Sequence, residues 1–258
     1  MPLARLLRSL GLLLAVGAMA PAGSQPASLR LCYDQAPLYP WRTGVDAKGL
    51  DFALLDLAVK RSGLSVQLSA QPWKRCLAEV EQGKQDGAVA ASFRSERLEF
   101  AVYPMAGDKP DVERRMRTES YSLFRLRGSG VQWDGKRIHG TDKPIGAQLG
   151  YSIVDQLKSS GVAVDEATAN AADLFRKMLA GRLEAAALLT QEGDYLLREP
   201  AFRARIERLP QPLAEKPYYL VFSKPFHAEH PALAAKFWAA LAAARESAAF
   251  RKIESNFD

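Results

Sequence analysis

Residues 86–104, DGAVAASFRSERLEFAVYP, decide the reading of this chain. Gly87 to Ala91 is a run of small apolar residues, the composition of a strand buried on both faces. It empties into a polar loop carrying Ser92 and Arg97. Such a loop can aim both side chains into a cleft, where a guanidinium fork clamps a carboxylate bidentately. The stretch therefore points to recognition of a small anionic or zwitterionic solute.

Upstream and downstream the same rhythm repeats. Leu29 to Tyr33 alternates like a strand, and Gly49 leads into DFALLDLAVKRS, whose apolar residues recur at helical spacing until Gly63 stops the helix. Leu64 to Ser69 reads as the next strand and Trp73 to Gln82 as the next helix, ended by Gly83. Strands alternating with helices of this length imply a parallel sheet covered on both faces. The alternation restarts after residue 120. Tyr121–Leu126, Pro144–Leu149 and Ala185–Leu189 read as extended, and Ser152–Ser160 and Asn170–Ala180 as helical. From Arg205 to Ser223 two extended pieces flank a proline-rich link, the pattern of a hinge crossing. The tail, Pro231 to Asn256, reads as helix with a core stripe of Leu233, Phe237, Leu241, Phe250 and Ile253.

Composition narrows the function classes. The first 24 residues hold Arg5 and Arg8, an apolar run from Leu10 to Ala20, then small residues, which is the pattern of a secretory signal peptide. The run is too short for a membrane span, and no lipidation cysteine follows it, so a free periplasmic location is expected. Losing Arg5 and Arg8 with the leader lowers the formal charge from +6 to +4. These charges are scattered without interleaved aromatics, which argues against nucleic acid. The cluster of Arg114, Arg115 and Arg117 reads as a solvated face. Cys32 and Cys76 would meet an oxidising compartment, where a pair is more often bridged than left as two buried small hydrophobes. His139, His227 and His230 lack further ligands at metal spacing, and no nucleophile elbow, phosphate loop or cofactor motif is present.

The order and spacing of these marks resemble the family 3 extracellular solute-binding proteins, the bacterial periplasmic receptors for polar amino acids. The resemblance is carried by Tyr39-Pro40-Trp41, by Gly49 to Asp51 opening the first helix, and by Pro72 to Cys76 opening the second. The Gly83 to Gly87 turn, the Ser92 to Arg97 loop and Val102 to Pro104 complete the first half, with Gly150 to Ser152 and Pro217 to Ser223 in the second. It implies a type II periplasmic-binding-protein clamshell of the α/β class, two α/β lobes joined by two hinge strands. Lobe 1 is then discontinuous, residues 29–119 plus 213–258, and lobe 2 spans 120–212.

The resemblance also assigns roles. Arg97 corresponds to the arginine that grips the ligand carboxylate and Ser92 to the hydroxyl that assists it, the competing reading of Arg97 being a surface arginine in a charged loop. Trp73 corresponds to a side chain that stacks on the ligand, with a half-buried core tryptophan as the alternative. Tyr39 and Trp41 fall where the family has an aromatic lid, although a one-residue slip would exchange Tyr39 for Leu38. Asp34 is a weaker polar candidate. Gly150, Tyr151 and Ser152 precede a helix whose free N–H groups suit an anion, unless Ser152 is an ordinary N-cap.

One departure stands out. Leu189 occupies the strand end where amino-acid receptors usually carry an aspartate for the ligand ammonium, leaving Glu192 or Asp194 to reach in from the next loop. A second departure, Ala53 for an aspartate in the first helix, is structural variation. The expected function is a monomeric receptor, without cofactor or metal, that hands a carboxylate-bearing solute to the permease subunits of an ABC importer. A dehydratase-like periplasmic enzyme and a ligand-presenting sensor are the alternatives on the same scaffold.

Overall fold

The computed structural model describes residues 28–43 and 45–257, and the expected leader at residues 1–24 lies outside them. Strand β1 (Leu29–Asp34) runs into a loop and then helix α1 (Leu50–Ser62), followed by β2 (Val66–Gln71), α2 (Trp73–Glu81) and β3 (Gly87–Ser92). Apolar spacing along α1 buries Leu50, Phe52, Leu54, Leu55 and Ala58, and Gly63 closes the helix in the left-handed conformation. All six residues of β3 are buried, as its small apolar composition requires.

A long strand β4 (Arg117–Leu126) leads to β5 (Ile145–Gln148), α3 (Ile153–Ser159), β6 (Val164–Thr168), α4 (Ala171–Leu179), β7 (Ala185–Leu189) and α5 (Thr190–Leu196). A second long strand, β8 (Ala214–Ser223), returns to α6 (Pro231–Arg245) and α7 (Ala248–Glu254). The main sheet has the order β6-β5-β7-β4-β8-β3-β1-β2. Pairing is parallel within each flank, β1 with β2 and β3, β5 with β6 and β7. Where the flanks join, β4 and β8 pair antiparallel with each other, β4 with β7 and β8 with β3.

The α/β architecture and both parallel flanks follow the sequence expectation, with four differences. The second strand begins at Val66, not Leu64, and β4 begins four residues before Tyr121. The tail is two helices, because the Ser247 hydroxyl accepts from Phe250 N–H and caps a new start. β6 and α5 escape sequence reading because VDEAT lacks an apolar alternation and TQEGDYL lacks an apolar stripe. The tail stripe packs into the core as read, with Phe237, Leu241 and Phe250 fully buried.

Gly49 shows how tightly the loop after β1 is held. Its backbone sits at φ 113°, and a Cβ there would lie 2.4 Å from the Trp41 carbonyl oxygen. That closeness lets Leu50 and Asp51 N–H donate to the Pro40 and Trp41 carbonyls, fastening the loop to the start of α1.

Cys32 and Cys76 form a disulfide that ties β1 to α2 across a sequence separation of 44. Closing a loop of that length restricts the unfolded chain by about 4 kcal/mol in the entropic account. Replacing both cysteines with alanine should lower the melting temperature by roughly 8–16 °C, measured calorimetrically on oxidised wild type and variant. An unchanged temperature would mean that the bridge contributes nothing to stability.

Candidate functional site

Asp34 stands at the end of β1 and is fixed from two sides. Its Oδ1 accepts from the Ala36 N–H at 3.1 Å, and its Oδ2 accepts from the Tyr151 hydroxyl at 2.8 Å, reaching across from the other flank of the sheet. Arg42, only 4 % exposed, lies between Asp34 at 3.9 Å and Asp51 at 3.7 Å. Asp51 accepts from Arg117 Nε at 2.9 Å, and Arg117 Nη1 lies 3.1 Å from Glu119. The Arg117 guanidinium sits between the rings of Trp41 and Tyr218, 4.6 and 4.8 Å from their centroids. A chain of alternating charges thus runs from the cleft into the crossing strands.

The other wall is built from β3, α2 and the loop before α3. The Ser92 hydroxyl donates to Ser152 Oγ at 2.9 Å. Arg97 is buried; its Nη1 donates to the Ser92 carbonyl at 2.6 Å and its Nη2 to the Gly150 carbonyl at 3.2 Å. Its guanidinium lies 5.5 Å from the Trp73 ring centroid. Gly150, at φ 78°, lets the backbone come this close, since a Cβ there would stand 3.2 Å from the Lys74 side chain. Arg94 forms a further ion pair across the cleft with Asp155.

These walls enclose an inner cavity of about 20 Å³, lined by Asp34, Trp73, Ser92, Arg97, Tyr151 and Ser152 among others. Six of the nine residues expected at the ligand therefore converge. Gly150 contributes its carbonyl from behind Arg97. The loop residues are distributed differently: Leu38 lines the inner cavity, as a one-residue slip would have it. Tyr39 lines a separate outer cavity and stacks on Tyr195 at 5.6 Å, while Trp41 packs behind against Arg117. Ser152 stands at the start of α3 without capping it, because its hydroxyl is engaged by Ser92.

Four inner-cavity residues have charges or hydroxyls that the sequence reading missed as site residues: Arg42, Arg117, Tyr121 and Tyr218. Arg117 corrects the reading of the 114–117 cluster as a solvated face, for it is 4 % exposed. The signal was present in RTESYSLF, where Arg117, Glu119 and Tyr121 share one face of a strand whose later members are apolar. Leu189 lines the inner cavity with an apolar side chain. Asp194 pairs with Arg208 at 3.0 Å and reaches neither cavity, whereas Glu192 lines the outer one.

The outer cavity, about 570 Å³, shares Asp34 and Arg42 with the inner one and also takes in Pro72, Asn170 and Glu192. Glu192 Oε1 accepts from Gln148 Nε2 at 3.2 Å, but its buried Oε2 has no hydrogen-bond partner among the described residues. Burial pushes its carboxyl up to about 8; Arg42 opposes the shift and Asp34 adds to it. Lys216, whose Nζ donates to the Ser152 carbonyl at 3.0 Å, is brought down to about 8 by burial. Among the described residues no three His, Cys, Asp or Glu side chains are placed to hold a metal ion, and no helix is long and apolar enough to cross a membrane.

With this geometry the chain can be compared with known structures. A histidine kinase sensor domain with similarity to periplasmic binding proteins aligns at a TM-score of 0.73 and 16% identity, over 90% of this chain and 96% of that one. The fold is that of the periplasmic binding proteins. The clamshell expected from the sequence resemblance is therefore the architecture of this chain. The arginine-, lysine-, histidine-binding protein ArtJ from Geobacillus stearothermophilus aligns at 0.70 and 17% identity, over 89% of this chain and 94% of that one. The ancestral amino-acid-binding protein AncCDT-1, a precursor of cyclohexadienyl dehydratase, aligns at 0.66 and 17% identity, over 89% and 95%. No family model matches the chain, and no curated protein matches it in sequence.

Glu192 makes the stability of the fold depend on pH. Between its ordinary value of 4.5 and about 8, the unfolded chain gives up a proton that the folded chain keeps, so stability falls as pH rises through this window. Glu192→Gln removes that component. Thermal melts from about pH 5 to about pH 8 should therefore show the variant gaining on wild type. Parallel curves would contradict the assignment.

Proposed function

We propose that this chain is a periplasmic solute-binding receptor. Residues 29–119 with 213–258 form one lobe, residues 120–212 form the other, and the lobes close on a small carboxylate-bearing solute. The observation that carries the reading is the convergence of both lobes on one arginine. Arg97, from the first lobe, reaches the Gly150 carbonyl of the second, beside the Ser92–Ser152 hydroxyl pair. A ligand carboxylate would accept from the donors now turned to these oxygens, and charge-assisted bonds to a guanidinium are the stronger kind. Because only the closed arrangement presents both walls, ligand would shift the population toward it.

As a receptor the protein would act as a monomer and deliver an amino acid or a relative to the permease subunits of an inner-membrane ABC importer. The likeness to a kinase sensor domain supports a second reading, presentation of the same ligand to a membrane-bound signalling partner. A buried carboxyl with a value near 8 would also suit a general acid, but Glu192 lines the outer cavity, away from the inner one that Arg97 lines.

A thermal-shift screen of ligand-stripped protein against amino acids, their amides and decarboxylated forms, and simple carboxylic acids tests the proposal. At a hundred times its dissociation constant a true ligand adds about 2.7 kcal/mol, several degrees for a chain of this size. Carboxylates should shift wild type and leave Arg97→Ala unmoved, while the amides shift neither. The variant should fold, since the Ser92 carbonyl keeps the Tyr103 hydroxyl as a donor. A wild type indifferent to every carboxylate would overturn the reading.

A further inference from the structure

We propose that the ligand carries, apart from its carboxylate, a cationic group that enters the outer cavity and pairs with Glu192. This deepens the receptor reading and rests on it. Asp34 is the only carboxylate among the described residues of the inner wall, and both its oxygens already accept, from the Ala36 N–H and the Tyr151 hydroxyl. Leu189 adds only apolar surface there. An ammonium held beside the Arg97-bound carboxylate finds there only Asp34, already engaged by the Ala36 N–H, the Tyr151 hydroxyl and the Arg42 guanidinium, and the α-amino arrangement is disfavoured.

The outer cavity offers what the inner one lacks. Glu192 is 8 % exposed, and among the described residues its buried Oε2 and the Gln148 Oε1 beside it have no hydrogen-bond partner. A buried acceptor left unmade costs free energy that a ligand donor recovers. The charge balance has the same sign: once Glu192 ionises, four carboxyls, Asp34, Asp51, Glu119 and Glu192, outnumber two guanidiniums, Arg42 and Arg117, in one buried group. At the cavity wall the Tyr39 and Tyr195 rings already hold a cation, the Arg198 guanidinium, 5.6 and 5.4 Å from their centroids. Asp34 and Arg42 line both cavities, so a ligand that reaches past these two side chains touches both. The chemical class is an ω-ammonio or guanidino carboxylate.

A cation at Glu192 also has a proton consequence. The groups that face this carboxyl are Arg42, Asp34, Glu119, Tyr151 and Gln148, and among them burial keeps it protonated at neutral pH. Pairing with a cation favours the ionised form, so the carboxyl proton passes to the buffer as the ligand binds.

Titration calorimetry at neutral pH, in two buffers of different ionisation enthalpy, tests this with 5-aminovalerate, 4-guanidinobutyrate, valerate and alanine. On wild type the two cationic acids should bind at least about tenfold more tightly than valerate or alanine, with a buffer-dependent enthalpy that reports proton release. Glu192→Gln should erase both the preference and the buffer dependence. If valerate or alanine binds wild type as tightly as 5-aminovalerate, the inference falls; when Arg97→Ala then abolishes that binding, the receptor reading survives without it. If none of the four binds, both fall. Comparison of ligands on wild type does not depend on the variant's folding.

Discussion

The buried charge chain from Asp34 through Arg42, Asp51 and Arg117 to Glu119 is the constraint on which the rest of the structure depends. It joins the loop after β1, the first turn of α1 and the crossing strand β4, and the Tyr218 ring brings β8 against the same guanidinium. Buried charges are tolerated only when each is paired, and removing one member leaves its partner without compensation, at about 3–5 kcal/mol. The chain therefore specifies where the crossing strands lie relative to the first flank of the sheet. It does so at the point where two halves meet, so the position of every residue in the cleft inherits its precision.

On that frame the cleft is organised by short polar reach. Arg97 touches two backbone carbonyls, one from each flank, and the Ser92–Ser152 and Asp34–Tyr151 pairs repeat the same across-cleft geometry. Each of these bonds is worth only about 0.5–3 kcal/mol net, so the contacts suit a closure that can be made and released. The disulfide acts beneath them, tying β1, which ends at Asp34, to α2, which presents Trp73. Rigid support under an adjustable polar surface is the physical requirement of selective capture.

Much of this was legible in the chain itself. The parallel flanks follow from the alternation of buried strands with glycine-stopped helices, and the family resemblance, carried by strand ends and helix openings, names Ser92, Arg97, Trp73, Tyr151 and Ser152, which line one cavity. Tyr39 and Trp41 fall on the loop expected of them, but the isolated bridge between Leu38 and Arg42 decides which residue faces inward. No periodicity encodes that choice. Arg117 reads as solvent-facing charge because its burial depends on Asp51 and on the Trp41 and Tyr218 rings, 66 and more residues away in sequence.

The sequence by itself determined the α/β class, the order of elements, the cysteine pair and the arginine-bearing loop, because these rest on local periodicity, local turn chemistry and the redox compartment implied by the leader. Only the tertiary structure decided which polar groups are satisfied. That both Asp34 oxygens hold donors while Glu192 Oε2 has no partner among the described residues is a property of contacts between strands far apart in the chain. Desolvation, which sets the protonation of such a group, is a sum over everything packed around it and cannot be read from its neighbours in sequence.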